Sequence, residues 1–143
     1  MSALRLTYST LSPEAYKGLI DCKNALNKSG LGKELIELVN LRVSQINGCA
    51  FCLDMHASSL RHSGVSNKKI DTLAGWRVSH YFNAQERAAL AWTEAVVNIA
   101  ESGTSDDLFD ELKHHFSDVQ ISDLTIAIGL MSAFNRIAIA LRQ

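Results

Sequence analysis

The stretch "ELIELVNLRVSQINGCAFCLDMHASSLR", residues 34–61, decides how the chain folds. Leu35, Leu38, Val39, Arg42 and Ile46 recur at three- and four-residue steps, the stripe of a helix rather than the alternation of a strand. A helix from about Lys33 to Ile46 follows, and Asn47 with Gly48 ends it, since glycine accepts the left-handed turn that helices commonly finish on. A further helix begins near Cys49 and stops before Gly64. Working outward, the same punctuation repeats. Ser12, Pro13 and Glu14 open a helix that runs to Gly30. Ser66 opens a short one through "NKKIDTLA" (67–74), and "GWRVSHYF" (75–82) reads as irregular. Asn83 with Glu86 forms a capping-box pattern for a helix to about Ala100, Ser105 caps a short helix, and Ser117 with Gln120 opens the last, about 118–142. The expectation is an all-α fold of about seven helices in one domain, residues 1–143.

Composition sets bounds on partners. Fourteen basic and 15 acidic residues leave a net charge of −1. No Lys/Arg run offers phosphates a landing site, so nucleic acid is not an expected partner. The longest uncharged apolar run, "LTIAIGLMSAFN" (124–135), is shorter than the ~20 residues a membrane-spanning helix needs. "MSALRLTYST" at the amino end lacks the apolar core of a secretory signal. Three cysteines do not make a secreted disulfide framework, and the expected location is a reducing cytoplasm. The last helix is apolar on nearly every side, from Leu124 through Ile137 and Leu141, which implies cover from all directions, part of it from another subunit. Asn135 and Arg136 interrupt it and must meet partners.

Residues 49–56 carry the chemistry. On a helix, Cys49, Cys52 and His56 fall within an arc of roughly 60° and project to one side. The cysteines sit at the amino end of that helix, where free N–H groups and the helix dipole favour a thiolate. An ordinary thiol is only about 3% ionised at pH 7, so such a shift multiplies the attacking species, and a histidine one turn away can carry its proton. Two other readings stand beside a redox pair. Zinc uses C-x-x-C but needs four ligands, and the remaining Cys22 and His62 lie on a distant helix and a different face. Alternatively the two thiols are buried and inert. Trp76, Phe82 and Trp92 read as core residues, His80, His114 and His115 as surface or polar-contact residues, and Cys22 as a lone half-buried thiol.

Glu37, then Cys49-x-x-Cys52 twelve positions on, then His56 resembles the signature of the alkylhydroperoxidase D-like branch of the carboxymuconolactone decarboxylase family. The likeness extends to "WRVSHYFNAQERAALAWTEAV" (76–96) and more loosely to "FNRIAIALR" (134–142). It implies an all-helical fold that assembles as homotrimers or homohexamers, and peroxidase and disulfide-reductase chemistry without metal or organic cofactor. Carried over by position, Cys52 is the thiolate that attacks a hydroperoxide and Cys49 the thiol that resolves it. His56 and Glu37 form the proton relay. An external dithiol, of lipoyl or thioredoxin type, restores the pair. One departure stands out: the position before the second cysteine, a histidine in well-studied members, is Phe51 here. The family's other branch, the lactone decarboxylases, binds a small dicarboxylate, and no paired arginines near the motif suit one. A non-catalytic oligomeric binding protein is the remaining alternative.

Overall fold

Ser66, Asn83, Ser105 and Ser117 each accept, through the side chain, the backbone N–H three residues on, and at Asn83 and Ser117 the reciprocal bonds from Glu86 and Gln120 close the capping box. These caps satisfy N–H groups that have no partner inside the helix, and they set where four of the helices start. The computed structural model describes residues 3–143, and all regular structure among them is helical. In order these are α1 (Tyr8–Leu11), α2 (Pro13–Leu26), α3 (Lys33–Asn47), α4 (Ala50–His62), α5 (Asn67–Asp71), a 3-10 turn (Leu73–Val78), α6 (Ala84–Val97), α7 (Ile99–Ser102), α8 (Asp106–Lys113) and α9 (Asp118–Leu141).

Ten helical segments stand where about seven were expected, and each difference has a local cause. The first long helix ends at Leu26 rather than Gly30, because "NKSGLG" (27–32) holds the poor helix formers Asn27, Ser29 and Gly30 and turns at Gly32, with φ 85°. Ser12 contributes no side-chain cap, and the one-turn α1 precedes it. The helix opened by Ser66 breaks at Thr72, whose hydroxyl bonds back to the Lys68 carbonyl, and the chain tightens into the 3-10 turn that takes up the first half of the "irregular" stretch. The fifth expected helix is divided at Asn98, whose side chain bonds to the Glu94 carbonyl, leaving α7 as a separate turn.

Helix α3 lies at the centre, packed on α4, α6 and α9. Val39 and Val43, one turn apart, face Leu124 and Ile128 of α9 and Ala89 of α6 in one apolar cluster. Leu38 and Leu41 face Leu60, Leu73, Trp76 and Leu90 in a second. All are almost fully buried, and each such side chain is worth about 1.5–3 kcal/mol of transfer free energy. Trp76, Phe82 and Trp92 are core residues, as their types suggested. Helix α9 is long and apolar enough to cross a membrane by length and composition, yet it packs on α2, α3, α6 and α8 as a core helix does. Its outer side leaves Ile126 and Ile139 about half exposed.

Glu94 locks α6 to its neighbours. One of its oxygens accepts from Arg42 Nε (3.0 Å) and Trp76 Nε1 (2.8 Å), and the other pairs with Arg77. Burial pushes this carboxyl up, but the bonds from Trp76, Arg77 and Arg42, with the Arg42 charge, outweigh it and hold it below the usual carboxylate range. Because the folded value is the depressed one, the stabilisation is complete above the ordinary value of 4.5 and is lost as pH falls through the folded value. Glu94→Gln should therefore cost about 1–3 kcal/mol at pH 7, and the gap to wild type should narrow as the pH approaches about 3. Urea unfolding at both pH values checks this; an equal deficit at both would assign the loss to packing alone.

Candidate active site

The turn between α3 and α4 places the two cysteines. Gly48 takes the left-handed conformation (φ 72°, ψ 38°) and its N–H bonds to the Ser44 carbonyl, ending α3 as the Asn-Gly pair suggested. Cys49 is then the N-cap of α4, in extended conformation, with its sulfur accepting the N–H of Cys52 at 3.4 Å. The helix amino end thus offers one N–H group, that of Cys52, to the Cys49 sulfur. The two cysteines are joined as a disulfide, Cα to Cα 5.3 Å, and both are nearly inaccessible to solvent.

They differ in what they face. Cys52, not Cys49, lines a cavity of about 200 Å³ that also takes in His56 and Glu37. His56 lies one turn beyond Cys52 on α4 and is buried; its Nδ1 is 2.8 Å from Glu37 Oε2, reaching across from α3. The carboxylate accepts the Nδ1 proton and so fixes the ring's tautomer, leaving Nε2 as the free nitrogen. That Nε2 is shielded from solvent and finds no protein partner among the described residues. A buried polar atom left without a partner carries a desolvation cost, and a catalytic role is one of the reasons a fold keeps one.

All four residues singled out from sequence therefore meet within one helical hairpin. Phe51, in the place of the family histidine, is 45% exposed and forms part of the cavity wall with Met55, one turn on. His80 and His114 are exposed, His115 pairs with Glu111, and none of the three reaches the cavity. Cys22 is a half-buried free thiol. For the zinc reading, no three His, Cys, Asp or Glu side chains among the described residues gather as a ligand set.

The rest of the wall comes from places the sequence did not flag. Asn40 and Ile36 flank Glu37 on the same face of α3, and Met131, Phe134 and Ala138 follow at helical steps on α9. Both sets could have been found by periodicity. Tyr8, Tyr16 and Lys23 close the opposite side, and nothing in the local pattern of the amino-terminal segment marks them. Tyr8 and Tyr16 stand edge to face at 5.8 Å between centroids, and Tyr8 bonds to Gln143. Burial, together with the neighbouring Tyr16, raises the Tyr8 phenol above its ordinary value.

The sequence model of the carboxymuconolactone decarboxylase family matches residues 13–95, which contain Glu37, both cysteines of the pair and His56. The chain belongs to the carboxymuconolactone decarboxylase family. Within that family it is similar to the uncharacterized protein YdfG of Bacillus subtilis, at 34% identity over 96% of this chain and 93% of that one. A solved structure from Agrobacterium tumefaciens, of a protein of unknown function described as a candidate AhpD antioxidant defence protein, superposes with a TM-score of 0.94. It shares 45% identity and covers 99% of this chain and 97% of that one. Alkyl hydroperoxide reductase AhpD of Hyphomonas neptunium is 40% identical over 48% of this chain but only 37% of its own length. The chain thus sits beside AhpD-named members of the carboxymuconolactone decarboxylase family, as the Glu–Cys–Cys–His spacing implied.

Proposed function

We propose that the protein is a cysteine-based peroxidase and disulfide reductase. One observation carries the reading: the buried Cys49–Cys52 pair presents Cys52 to a cavity whose wall also holds the Glu37–His56 hydrogen bond. The AhpD names of the relatives agree with it. In this scheme the Cys52 thiolate attacks the hydroperoxide ROOH at oxygen, breaking the O–O bond. The sulfur is oxidised to a sulfenic acid and RO⁻ leaves, taking a proton to become ROH. The Cys49 thiol then condenses with the sulfenic acid, forming the S–S bond and releasing water. An external dithiol, itself oxidised to a disulfide, returns the pair to two thiols. His56, held in one tautomer by Glu37, accepts the Cys52 proton at Nε2 and delivers one to the departing alkoxide. Every group the scheme needs is a side chain of this chain, the hydroperoxide and the dithiol excepted.

The test is a thiol count. Peroxide added to the reduced protein should consume two free thiols per chain and create one intramolecular disulfide between Cys49 and Cys52, with Cys22 still open to alkylation. Peptide masses after alkylation read this directly. If all three cysteines alkylate equally after peroxide, the cysteines are inert and the binding-protein alternative stands.

A further inference from the structure

One buried polar side chain has no part in the proton and sulfur chemistry. Asn135 lies in the last third of α9 with no solvent exposure, between the apolar cavity residues Met131 and Ala138. Its amide is bonded at both ends: Nδ2 donates to Ser44 Oγ at 3.1 Å, and Oδ1 accepts from Asn47 Nδ2 at 3.1 Å. The Ser44 hydroxyl in turn donates to the Asn40 carbonyl at 2.8 Å. The Ser44 carbonyl accepts the N–H groups of Gly48 (2.9 Å) and Cys49 (3.1 Å). Hydrogen bonds therefore run from α9, through the last turn of α3, to the backbone of Cys49. Packing alone does not call for an amide there, since leucine has a similar size and carries no desolvation cost.

We propose that Asn135 is a positioning residue for the cysteine pair, resting on the redox reading above. By pinning Ser44 and Asn47 it fixes the turn that carries Cys49, and so the direction from which the Cys49 sulfur meets Cys52. An intramolecular bond forms in proportion to the effective concentration of one partner at the other, and that concentration falls when the connecting segment is free to reorient. The turn has a natural pivot in Gly48, which lacks the side chain that would restrict its left-handed backbone. Asn135 removes that freedom from outside the turn.

The experiment equilibrates the purified protein with glutathione buffers, in which one dithiol and one oxidised glutathione exchange for one protein disulfide and two reduced glutathiones. No peroxide is involved. Asn135→Leu should lower the equilibrium constant for disulfide formation about tenfold, a shift of about 30 mV toward a more oxidising pair. Asn47→Ala, at a half-buried site, should move it in the same direction by less, and it carries the test if Asn135→Leu does not fold. The double variant Asn47→Ala/Asn135→Leu should go no further than Asn135→Leu. Ile70→Ala, in the other apolar cluster, provides a destabilised control whose disulfide equilibrium should stay at the wild-type value. If Asn135→Leu and Asn47→Ala both leave the equilibrium unchanged, Asn135 serves stability only and the proposal is overturned. A wild-type protein that forms no Cys49–Cys52 disulfide at any buffer ratio would instead remove the redox reading itself.

Discussion

Cys52→Ser should abolish hydroperoxide consumption, a loss of about 10⁴-fold or more, because it removes the proposed nucleophile on which every later step of the scheme depends. A serine hydroxyl is isosteric but stays un-ionised near neutral pH, and the substitution leaves the surrounding apolar cluster filled. Cys49→Ser should behave differently. The first step remains possible, so one equivalent of peroxide should be consumed and a sulfenic acid should persist on Cys52, trappable by dimedone and located by peptide mass. The asymmetry rests on geometry: both sulfurs are buried, but Cys52 lines the cavity and Cys49 does not. Dimedone found on Cys49 in a Cys52→Ser protein that still consumes one equivalent of peroxide would reverse the two roles. Loss of turnover in both variants with no adduct in either would point to chemistry that needs the intact pair from the start, such as direct disulfide exchange.

What sequence could reveal tracks how local the cause was. Four helix starts are written in three-residue patterns, so Ser66, Asn83, Ser105 and Ser117 could be recognised from their immediate neighbours. The Asn47–Gly48 stop is equally local. The single helical face expected for Cys49, Cys52 and His56 is only partly met: Cys52 and His56 share α4 and the cavity wall, whereas Cys49 is the extended N-cap ahead of the helix and does not line it. Helix ends that depend on competing side chains were harder: Thr72 and Asn98 divert backbone bonding, and their types do not announce it. The direct bond between Glu37 and His56 spans two helices, and periodicity alone could not align them; the family spacing did. Residues whose meaning is tertiary were out of reach. Tyr8 and Tyr16 become cavity walls only because the amino-terminal segment is held on α9, where Arg5 bonds to the carbonyls of Ala140 and Leu141. Asn135 could be marked as needing a partner, but nothing local says that its partners are Ser44 and Asn47, some 90 positions away. Glu94 reads as one more helix carboxylate until Arg42, Trp76 and Arg77 converge on it.

His56→Ala and Glu37→Gln should each slow peroxide turnover by about 10²–10⁴-fold, the usual worth of a positioned acid–base group. The two are joined by one hydrogen bond at 2.8 Å, and the Nε2 of His56 has no partner among the described residues. In the proposed scheme Glu37 works through His56, holding the Nδ1 proton in place and balancing the charge that appears when Nε2 takes up a proton. The Glu37→Gln amide keeps the size and can still meet the ring, but it supplies no charge and can stabilise either tautomer. The double variant should accordingly be little worse than the worse single one, because once the ring is gone its orienting partner has nothing left to orient. The pH dependence separates this from packing damage. Near pH 9 an ordinary thiol ionises largely unaided, so the need for a base falls and the deficits of all three variants should shrink. Packing damage has no reason to heal with rising pH. Losses that multiply in the double variant and persist at pH 9 would make Glu37 and His56 independent structural residues, and the proton would have to travel by another route.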